Sequence, residues 1–162
     1  MNLNIKDNFL DSKTFLDLKN IIFSTEFPWY YNNSKSLQND NNYQFVHNLF
    51  WEKEILSPFW NTIAAPILNK LKAKKLIRVK ANLTTKKTEN LISEMHVDTL
   101  VKNSKTAVFY CNTNNGFTKF NNGEIVKSIQ NRIVTFDSNI FHCGADCTDE
   151  NIRIVINFNY MT

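Results

Sequence analysis

Three side chains of metal-binding type stand at a spacing that suits one shared site. His96 and Asp98 are two residues apart, and His142 follows 46 residues after His96. Side chains at positions i and i+2 of a β-strand point to the same face of the strand. A third ligand so far along the chain has to come from a second strand that pairs beside the first. The spacing therefore predicts one metal bound by two imidazoles and one carboxylate.

These ligand types leave several metals open. Two neutral imidazoles and a carboxylate bind iron, manganese, cobalt or zinc, and affinity alone does not choose among them. A zinc ion with one open coordination position would serve hydrolysis. An iron ion held on one face would keep the opposite face open for a chelating co-substrate and O2, as in the non-haem Fe(II) oxygenases.

Arg153 favours the iron interpretation. It lies 11 residues after His142, shares a strand face with Val155 and Asn157, and is flanked by residues that form an apolar face. An arginine on the cavity side near a metal offers a forked donor to a carboxylate. A keto acid that chelates iron at one end carries a free carboxylate at its other end. A zinc hydrolase would leave this arginine without a role.

Composition restricts the class of protein. The 162 residues, 43% of them hydrophobic, suffice for a single domain over residues 1–162 with one core. Sixteen of the 19 basic residues are lysine, whereas proteins that read nucleic acid favour arginine. No apolar run reaches the length of a membrane span, and the first residues lack the plan of a signal peptide. We therefore expect a cytoplasmic protein with no membrane partner.

The remaining histidine and the cysteines are expected to be structural. His47 lies in an aromatic-rich stretch, away from the other two histidines. The odd number of cysteines and the lack of a CxxC pair argue against a disulfide framework. We expect buried, reduced thiols at Cys111, Cys143 and Cys147.

The first part of the chain, residues 1–75, is predicted to be mainly helical support. One helix is expected from about residue 13 to 24, and a second from near Pro58, with Pro66 predicting a kink or break in it. Trp29, Tyr30 and Tyr31 are expected to pack as buried aromatics, with a substrate cleft as the alternative. Two loops are candidate lids over a site, residues 26–42 and 99–105.

From residue 76 the hydrophobic period changes to two. Odd positions of residues 76–83 are apolar, and even positions after residue 76 are polar, which is typical of a half-buried strand. Asn-Asn-Gly turn signals separate later short strands. Further strands are predicted at residues 106–111, 124–126, 132–136 and 152–160. Such closely spaced strands leave no room for crossover helices, so residues 76–162 are predicted to form an antiparallel sandwich or barrel with helices on one face.

This segment resembles a known family. Residues 76–160 are similar to the double-stranded β-helix (jelly-roll, cupin-like) of the Fe(II)/2-oxoglutarate-dependent dioxygenases, particularly the prolyl-hydroxylase-like branch and its phage-encoded relatives. The resemblance covers about half the chain. Four stretches carry it: residues 96–98, 108–112, 131–138 leading to His142, and 153–160. It implies an α+β, mainly β, fold with supporting N-terminal helices.

The resemblance implies a role for each candidate residue. The Fe(II) ligands, and so the catalytic residues, would be His96, Asp98 and His142. Arg153 would pair with the distal carboxylate of 2-oxoglutarate. Tyr110 would place its hydroxyl against that same carboxylate.

The resemblance also implies the reaction. A peptidyl, prolyl-like side chain or a small molecule would be hydroxylated with O2 while 2-oxoglutarate gives succinate and CO2, with ascorbate as a further candidate cofactor. Asn82, on the polar face of the first barrel strand, would contact the co-substrate or the substrate. A phage-encoded protein would act in the host cytoplasm.

Two alternatives stay open. One is a non-catalytic binding or structural module that retains the barrel. The other is an oxidative nucleic-acid demethylase, which needs a basic groove. The candidates for that groove are Lys72, Lys74, Lys75, Lys86 and Lys87.

Overall fold

Two antiparallel sheets pack face to face in the computed structural model, which describes residues 2–35 and 42–162. The helices are α1 (Ser12–Ile22), α2 (Trp60–Ile63) and α3 (Ala65–Leu71). The strands are β1 (Asn4–Lys6), β2 (Tyr30–Asn32), β3 (Gln44–Trp51), β4 (Glu54–Ile55), β5 (Lys75–Thr85), β6 (Lys105–Tyr110), β7 (Phe117–Phe120), β8 (Ile125–Lys127), β9 (Arg132–Asp137), β10 (His142–Ala145) and β11 (Ile152–Met161).

The strand order is that of a double-stranded β-helix. The larger sheet runs β1-β9-β6-β11-β5-β3-β2, with β4 paired to β3, and the smaller sheet runs β10-β7-β8. All of these pairings are antiparallel. The fold class and the antiparallel sheet predicted from the sequence are confirmed.

The larger sheet is covered by the helices on one face only. Apolar residues of β5 and β11, among them Val79, Ala81 and Ile156, pack there in a core shared with Leu18 and Ile22 of α1. The opposite face of the sheet carries the polar positions of the same two strands and faces the smaller sheet. The alternation predicted for residues 76–83 therefore separates a core face from a cavity face.

The helices follow their local signals. Asp11 caps α1, because its carboxylate accepts a hydrogen bond from the Thr14 amide at 3.0 Å. The break predicted at Pro66 is present, since α2 ends at Ile63 and α3 begins at Ala65. Among the described residues, no helix has the length and apolar character that crossing a membrane requires.

Among the described residues up to position 75, four strands are present that the sequence analysis did not predict. The longest, β3, pairs with β5 and extends the larger sheet. Its aromatic and β-branched content favours a strand. The register shifts between Asn48 and Phe50, however, and this irregularity breaks the period-two pattern by which strands are recognised. The N-terminal segment thus adds sheet as well as helices.

The smaller sheet is built around a hairpin. The Asn121-Asn122-Gly123 turn joins β7 to β8, and Gly123 has the positive φ of 90° that such a turn requires. On the other side β10 pairs with β7. Two isolated bridges, Ile92 to Ala145 and His96 to His142, hold the preceding segment along β10.

Candidate active site

Sheet pairing brings the three predicted ligands together. His142 is the first residue of β10, and His96 lies directly opposite it in an antiparallel bridge. Each of these histidines donates its backbone N–H to the other's carbonyl, at 2.9 and 3.0 Å. Asp98 follows two residues later. One ligand atom from each of the three side chains lies within 4.8 Å of the others.

Both imidazoles are oriented by their own backbone. Nδ1 of His96 lies 3.1 Å from the Glu94 carbonyl, and Nδ1 of His142 lies 3.0 Å from the Ile140 carbonyl. A carbonyl can only accept a hydrogen bond, so Nδ1 carries the proton in each ring. The lone pair is then on Nε2, which is the tautomer that a metal ligand needs. Burial lowers the pKa of His142 and so favours its neutral form.

Asp98 presents one oxygen to an arginine and the other to the histidines. Its Oδ1 accepts a hydrogen bond from Nη2 of Arg78 at 2.9 Å. Its Oδ2 has no hydrogen-bond partner among the described residues, although the side chain is only 2% exposed, and it lies 3.5 Å from Nε2 of His142. Burial alone would raise the pKa of Asp98, but the positive charges of His142, when that ring is protonated, and of Arg78 outweigh burial and hold the pKa of Asp98 below its usual value. A buried, ionised and unpartnered oxygen beside Nε2 of His142, with a ligand nitrogen of His96 within 4.8 Å, fits a divalent metal.

Arg78 is a site residue that the sequence analysis missed. Its Nε donates to Oδ1 of Asn159 at 3.0 Å, and the Asn159 amide donates to Thr106 Oγ1 at 3.0 Å. This chain ties the guanidinium to β11 and β6, so Arg78 holds Asp98 in a fixed orientation. Its position on the polar face of β5 was visible in the sequence, but the contact with Asp98 was not.

Two of the ligands, His96 and Asp98, line a cavity of about 660 Å³ between the two sheets, and His142 is buried beside them. The cavity has the polar faces of β5 and β11 on one side and residues 93–98 on the other. Buried side-chain oxygens without a hydrogen-bond partner occur at three of the described residues, and all three line this cavity: Asp98, Thr84 and Asn157. Unsatisfied buried oxygens are costly in a folded protein, so their concentration here indicates a place where a ligand binds.

Arg153 lies in the same cavity, as predicted from its strand face. It is 6% exposed, and its Nε donates to Ser128 Oγ at 2.9 Å. Nη2 donates to the Phe117 carbonyl at 3.3 Å, and no described residue accepts from Nη1. Gly116 allows the close approach, because a Cβ there would stand 2.6 Å from the Arg153 Cδ. The guanidinium is thus fixed on one side and retains a donor for a ligand.

A buried ion pair lies in the same cavity. Nζ of Lys35 is 2.6 Å from both carboxylate oxygens of Asp146, and both side chains are nearly inaccessible. Lys35 neutralises the negative charge of Asp146. The positive charge of Arg153 therefore stays available for another anion.

The two remaining predicted site residues differ in placement. Asn82 lines the cavity, and its amide makes a long 3.3 Å hydrogen bond to the Lys80 carbonyl. Tyr110 is fully buried in the core between the sheets and does not line the cavity. Its hydroxyl donates to Thr118 at 2.8 Å, while its ring lies 5.9 Å from Cζ of Arg153. In this structure Tyr110 therefore packs its ring near the Arg153 guanidinium from the core and does not present its hydroxyl to the cavity.

His47 and the cysteines are placed as expected. The two His47 ring nitrogens lie 2.8 Å from the Pro28 carbonyl and from Ser57 Oγ, so both are used in structural hydrogen bonds. All three cysteines are buried and free.

The prediction of buried packing is wrong for two of the three N-terminal aromatics. Trp29 packs against Phe27, with ring centroids 5.0 Å apart. Tyr30 and Tyr31 are 60% and 65% exposed. Both lie on β2, a three-residue edge strand that pairs only with β3 among the described residues. Tyr30 contacts the His47 ring and Tyr31 stacks on Tyr43, each with ring centroids 6.1 Å apart, but these contacts leave most of both side chains exposed. Of the two candidate lids, residues 36–41 of the first lie outside the described residues.

Comparison with known proteins identifies the fold. No protein-family model and no curated protein matches the sequence. A solved structure of an oxidoreductase of the 2OG-Fe(II) oxygenase family from Burkholderia pseudomallei is similar over 98% of this chain and 84% of its own, with a TM-score of 0.74 and 12% identity. A prolyl-4-hydroxylase from Pseudomonas putida is similar over 99% of this chain and 92% of its own, with a TM-score of 0.65 and 11% identity.

A third structure is a prolyl hydroxylase from Trichoplax adhaerens in complex with a peptide fragment of the hypoxia inducible factor oxygen degradation domain. It is similar over 98% of this chain and 83% of its own, with a TM-score of 0.64 and 10% identity. The chain spans most of the length of all three structures. At these identities the likeness concerns the fold, and this chain has the double-stranded β-helix fold found in 2OG-Fe(II) oxygenases.

Proposed function

We propose that this protein is an Fe(II)- and 2-oxoglutarate-dependent dioxygenase. The observation that carries the proposal is that His96, Asp98 and His142 converge at one point, and that two of them, His96 and Asp98, line the same cavity as Arg153. A metal site for hydrolysis would not need a buried arginine with a free donor beside it. The fold shared with 2OG-Fe(II) oxygenases supports the same proposal.

The metal would be bound by Nε2 of His96, Nε2 of His142 and Oδ2 of Asp98. Bound Fe(II) would supply the activation of O2 and the oxidation of substrate that protein side chains cannot perform. Arg78 holds the second carboxylate oxygen, so Asp98 would bind through one oxygen and leave more of the metal open. The protein's task is to fix this geometry and to keep water out of the cavity.

The opposite part of the cavity would bind the distal carboxylate of 2-oxoglutarate. Arg153 offers Nη1 as a charge-assisted donor there. Thr84 lies directly opposite Arg153 in the β5–β11 pairing, and its unpartnered hydroxyl is a second candidate donor. Tyr110 would act through Arg153, because its own hydroxyl is engaged by Thr118.

The substrate we propose is a peptide side chain, prolyl or similar, or a small molecule. The structures of a prolyl-4-hydroxylase and of a peptide-bound prolyl hydroxylase among the similar folds support a peptide. The lysines considered for nucleic acid lie at opposite ends of β5, at residues 72–75 and 86–87. An 11-residue strand is about 35 Å long, so these lysines do not form one groove.

The test is an anaerobic titration of the protein with Fe(II) and then 2-oxoglutarate. We expect the visible charge-transfer band of the metal chelate, and succinate once O2 is admitted. Arg153→Gln should weaken 2-oxoglutarate binding by about 10- to 100-fold, the worth of a hydrogen bond to a charged group. Arg132→Gln is the matched control, because Arg132 pairs with Asp7 at the surface.

Two results would contradict the proposal. One is a protein that binds Fe(II) but gives neither the band nor succinate. The other is equal 2-oxoglutarate affinity in both arginine variants. Substrates can then be sought by mass spectrometry as peptides that gain one oxygen atom, with Asp98→Ala as the inactive control.

A further inference from the structure

Lys80 is a charged residue of the cavity for which the proposed reaction has no use. It lies on the cavity face of β5, between Arg78 and Asn82. Residues two apart on a strand are separated by about 7 Å, so Lys80 is one step from the arginine that contacts Asp98. Its side chain is therefore close to the place where the metal would bind.

The other charges of the cavity each have a partner or an assigned ligand. Arg78 pairs with Asp98, and Lys35 pairs with Asp146. Arg153 is assigned to the distal carboxylate of the co-substrate, whose other carboxylate would chelate the metal. No described residue accepts a hydrogen bond from, or forms an ion pair with, the ammonium of Lys80.

The surroundings of Lys80 contain a second unsatisfied group. Asn157 lies directly opposite Lys80 in the β5–β11 pairing, and its side-chain oxygen is buried without a partner among the described residues. Burial and then the neighbouring Arg78 lower the pKa of Lys80 to about 8, so the side chain is still mostly protonated at pH 7. A partly buried ammonium and a buried amide oxygen that lie on neighbouring strands without pairing with each other are costly unless a ligand satisfies both.

We propose that Lys80 binds a carboxylate of the primary substrate, so that the enzyme acts on an acidic molecule or an acidic peptide side chain. Asn157 would accept a hydrogen bond from a neighbouring N–H or O–H of that substrate. One ammonium supplies one positive charge, which suits a carboxylate, whereas phosphate sites generally use arginine forks or several backbone amides. The exposed side chains of Met95 and Phe141 at the cavity would contact the apolar part of the substrate.

The test uses capped tripeptides, because the substrate itself is unidentified. Acetyl-Gly-Asp-Gly-amide and acetyl-Gly-Glu-Gly-amide are compared with their Asn and Gln counterparts by calorimetry on the anaerobic protein with Fe(II) and 2-oxoglutarate. We expect at least one acidic peptide to bind about tenfold more tightly than its amide, as expected for a close charge pair. Lys80→Met should abolish this preference, and Lys80→Arg should retain part of it.

Two controls separate this role from others. The affinity for 2-oxoglutarate, from the charge-transfer band, should change by less than about twofold in Lys80→Met if the lysine serves the substrate alone. Lys127→Met, at an exposed position of β8, should behave as the wild type in both measurements.

The inference rests on the proposed function, and the outcomes keep the two apart. A wild-type protein that gives no charge-transfer band refutes both. A band with no preference for acidic peptides refutes the role of Lys80 alone. If Lys80→Met weakens 2-oxoglutarate and leaves the acidic preference intact, the lysine belongs to the co-substrate site and the inference is wrong.

Discussion

The two faces of β5 and β11 differ in what covers them. One face is apolar and packs against the helices. Its side chains, among them Val79, Ala81 and Ile156, are buried in the core. On the other face lie charged and amide side chains, together with oxygens that have no partner. The same two strands thus carry the apolar core on one face and, on the other, polar groups whose hydrogen bonding is incomplete. Unsatisfied groups concentrate where a ligand is bound, because binding, not folding, is what satisfies them.

The largest expected effect is on the core face. Phe158→Ala should lower the free energy of unfolding by about 3–5 kcal/mol, because the ring is fully buried and its loss leaves a cavity. Its neighbour Asn157 faces the other way, and Asn157→Ala should cost less than about 1 kcal/mol, because its oxygen has no partner to lose. Urea unfolding of both variants measures the difference. Equal losses would contradict the division of the two faces.

The next effect is on metal binding. Arg78→Met should weaken Co(II) or Fe(II) binding by about 10- to 100-fold, because Asp98 loses the partner that orients it. The d–d spectrum of Co(II) reports this directly, without an activity assay. Arg132→Met, which removes an arginine that pairs with Asp7 and not with Asp98, is the control and should bind metal normally. Unchanged affinity in Arg78→Met would show that Asp98 is held by other contacts.

On the cavity face, removal of a charge should stabilise the protein. Lys80→Met should raise the free energy of unfolding at pH 7 by about 1–2 kcal/mol, because a desolvated ammonium is replaced by an apolar side chain. The same substitution would remove the charge that we propose binds the substrate.

The same lysine gives a pH dependence with a definite sign. Its pKa is about 8 when folded and near 10.5 in its ordinary environment, so between these values the unfolded chain binds more protons. Wild-type stability should therefore rise with pH from about 8 to 10.5, relative to Lys80→Met. Thermal melts of both proteins across this range measure the difference. A difference that is flat or of opposite sign would show that Lys80 is not desolvated.

The smallest effect concerns Tyr110. Tyr110→Phe removes the hydroxyl that donates to Thr118 and should cost about 0.5–1.5 kcal/mol of stability. Because Tyr110 lies outside the cavity lining, 2-oxoglutarate affinity should change by less than about twofold. A tenfold loss would instead place the hydroxyl on the co-substrate carboxylate, as the family resemblance implies.

Much of the site was predictable because it depends on local periodicity. The i, i+2 spacing of His96 and Asp98 places them on one side of an extended segment. The alternation of residues 152–160 put Arg153 on the face of Val155 and Asn157, and the structure has that arrangement. The period-two pattern of residues 76–83 separated the two faces of β5 correctly.

The sequence by itself determined which residues share a face, because side-chain direction alternates along any strand whatever lies around it. Only the tertiary structure decided what each face meets. Whether Arg78 faces solvent or Asp98, and whether the Tyr110 hydroxyl reaches the cavity or Thr118, depends on register and on how the two sheets pack. The Lys35–Asp146 pair joins residues 111 positions apart. Such contacts follow from the packing of distant segments, and no local pattern encodes them.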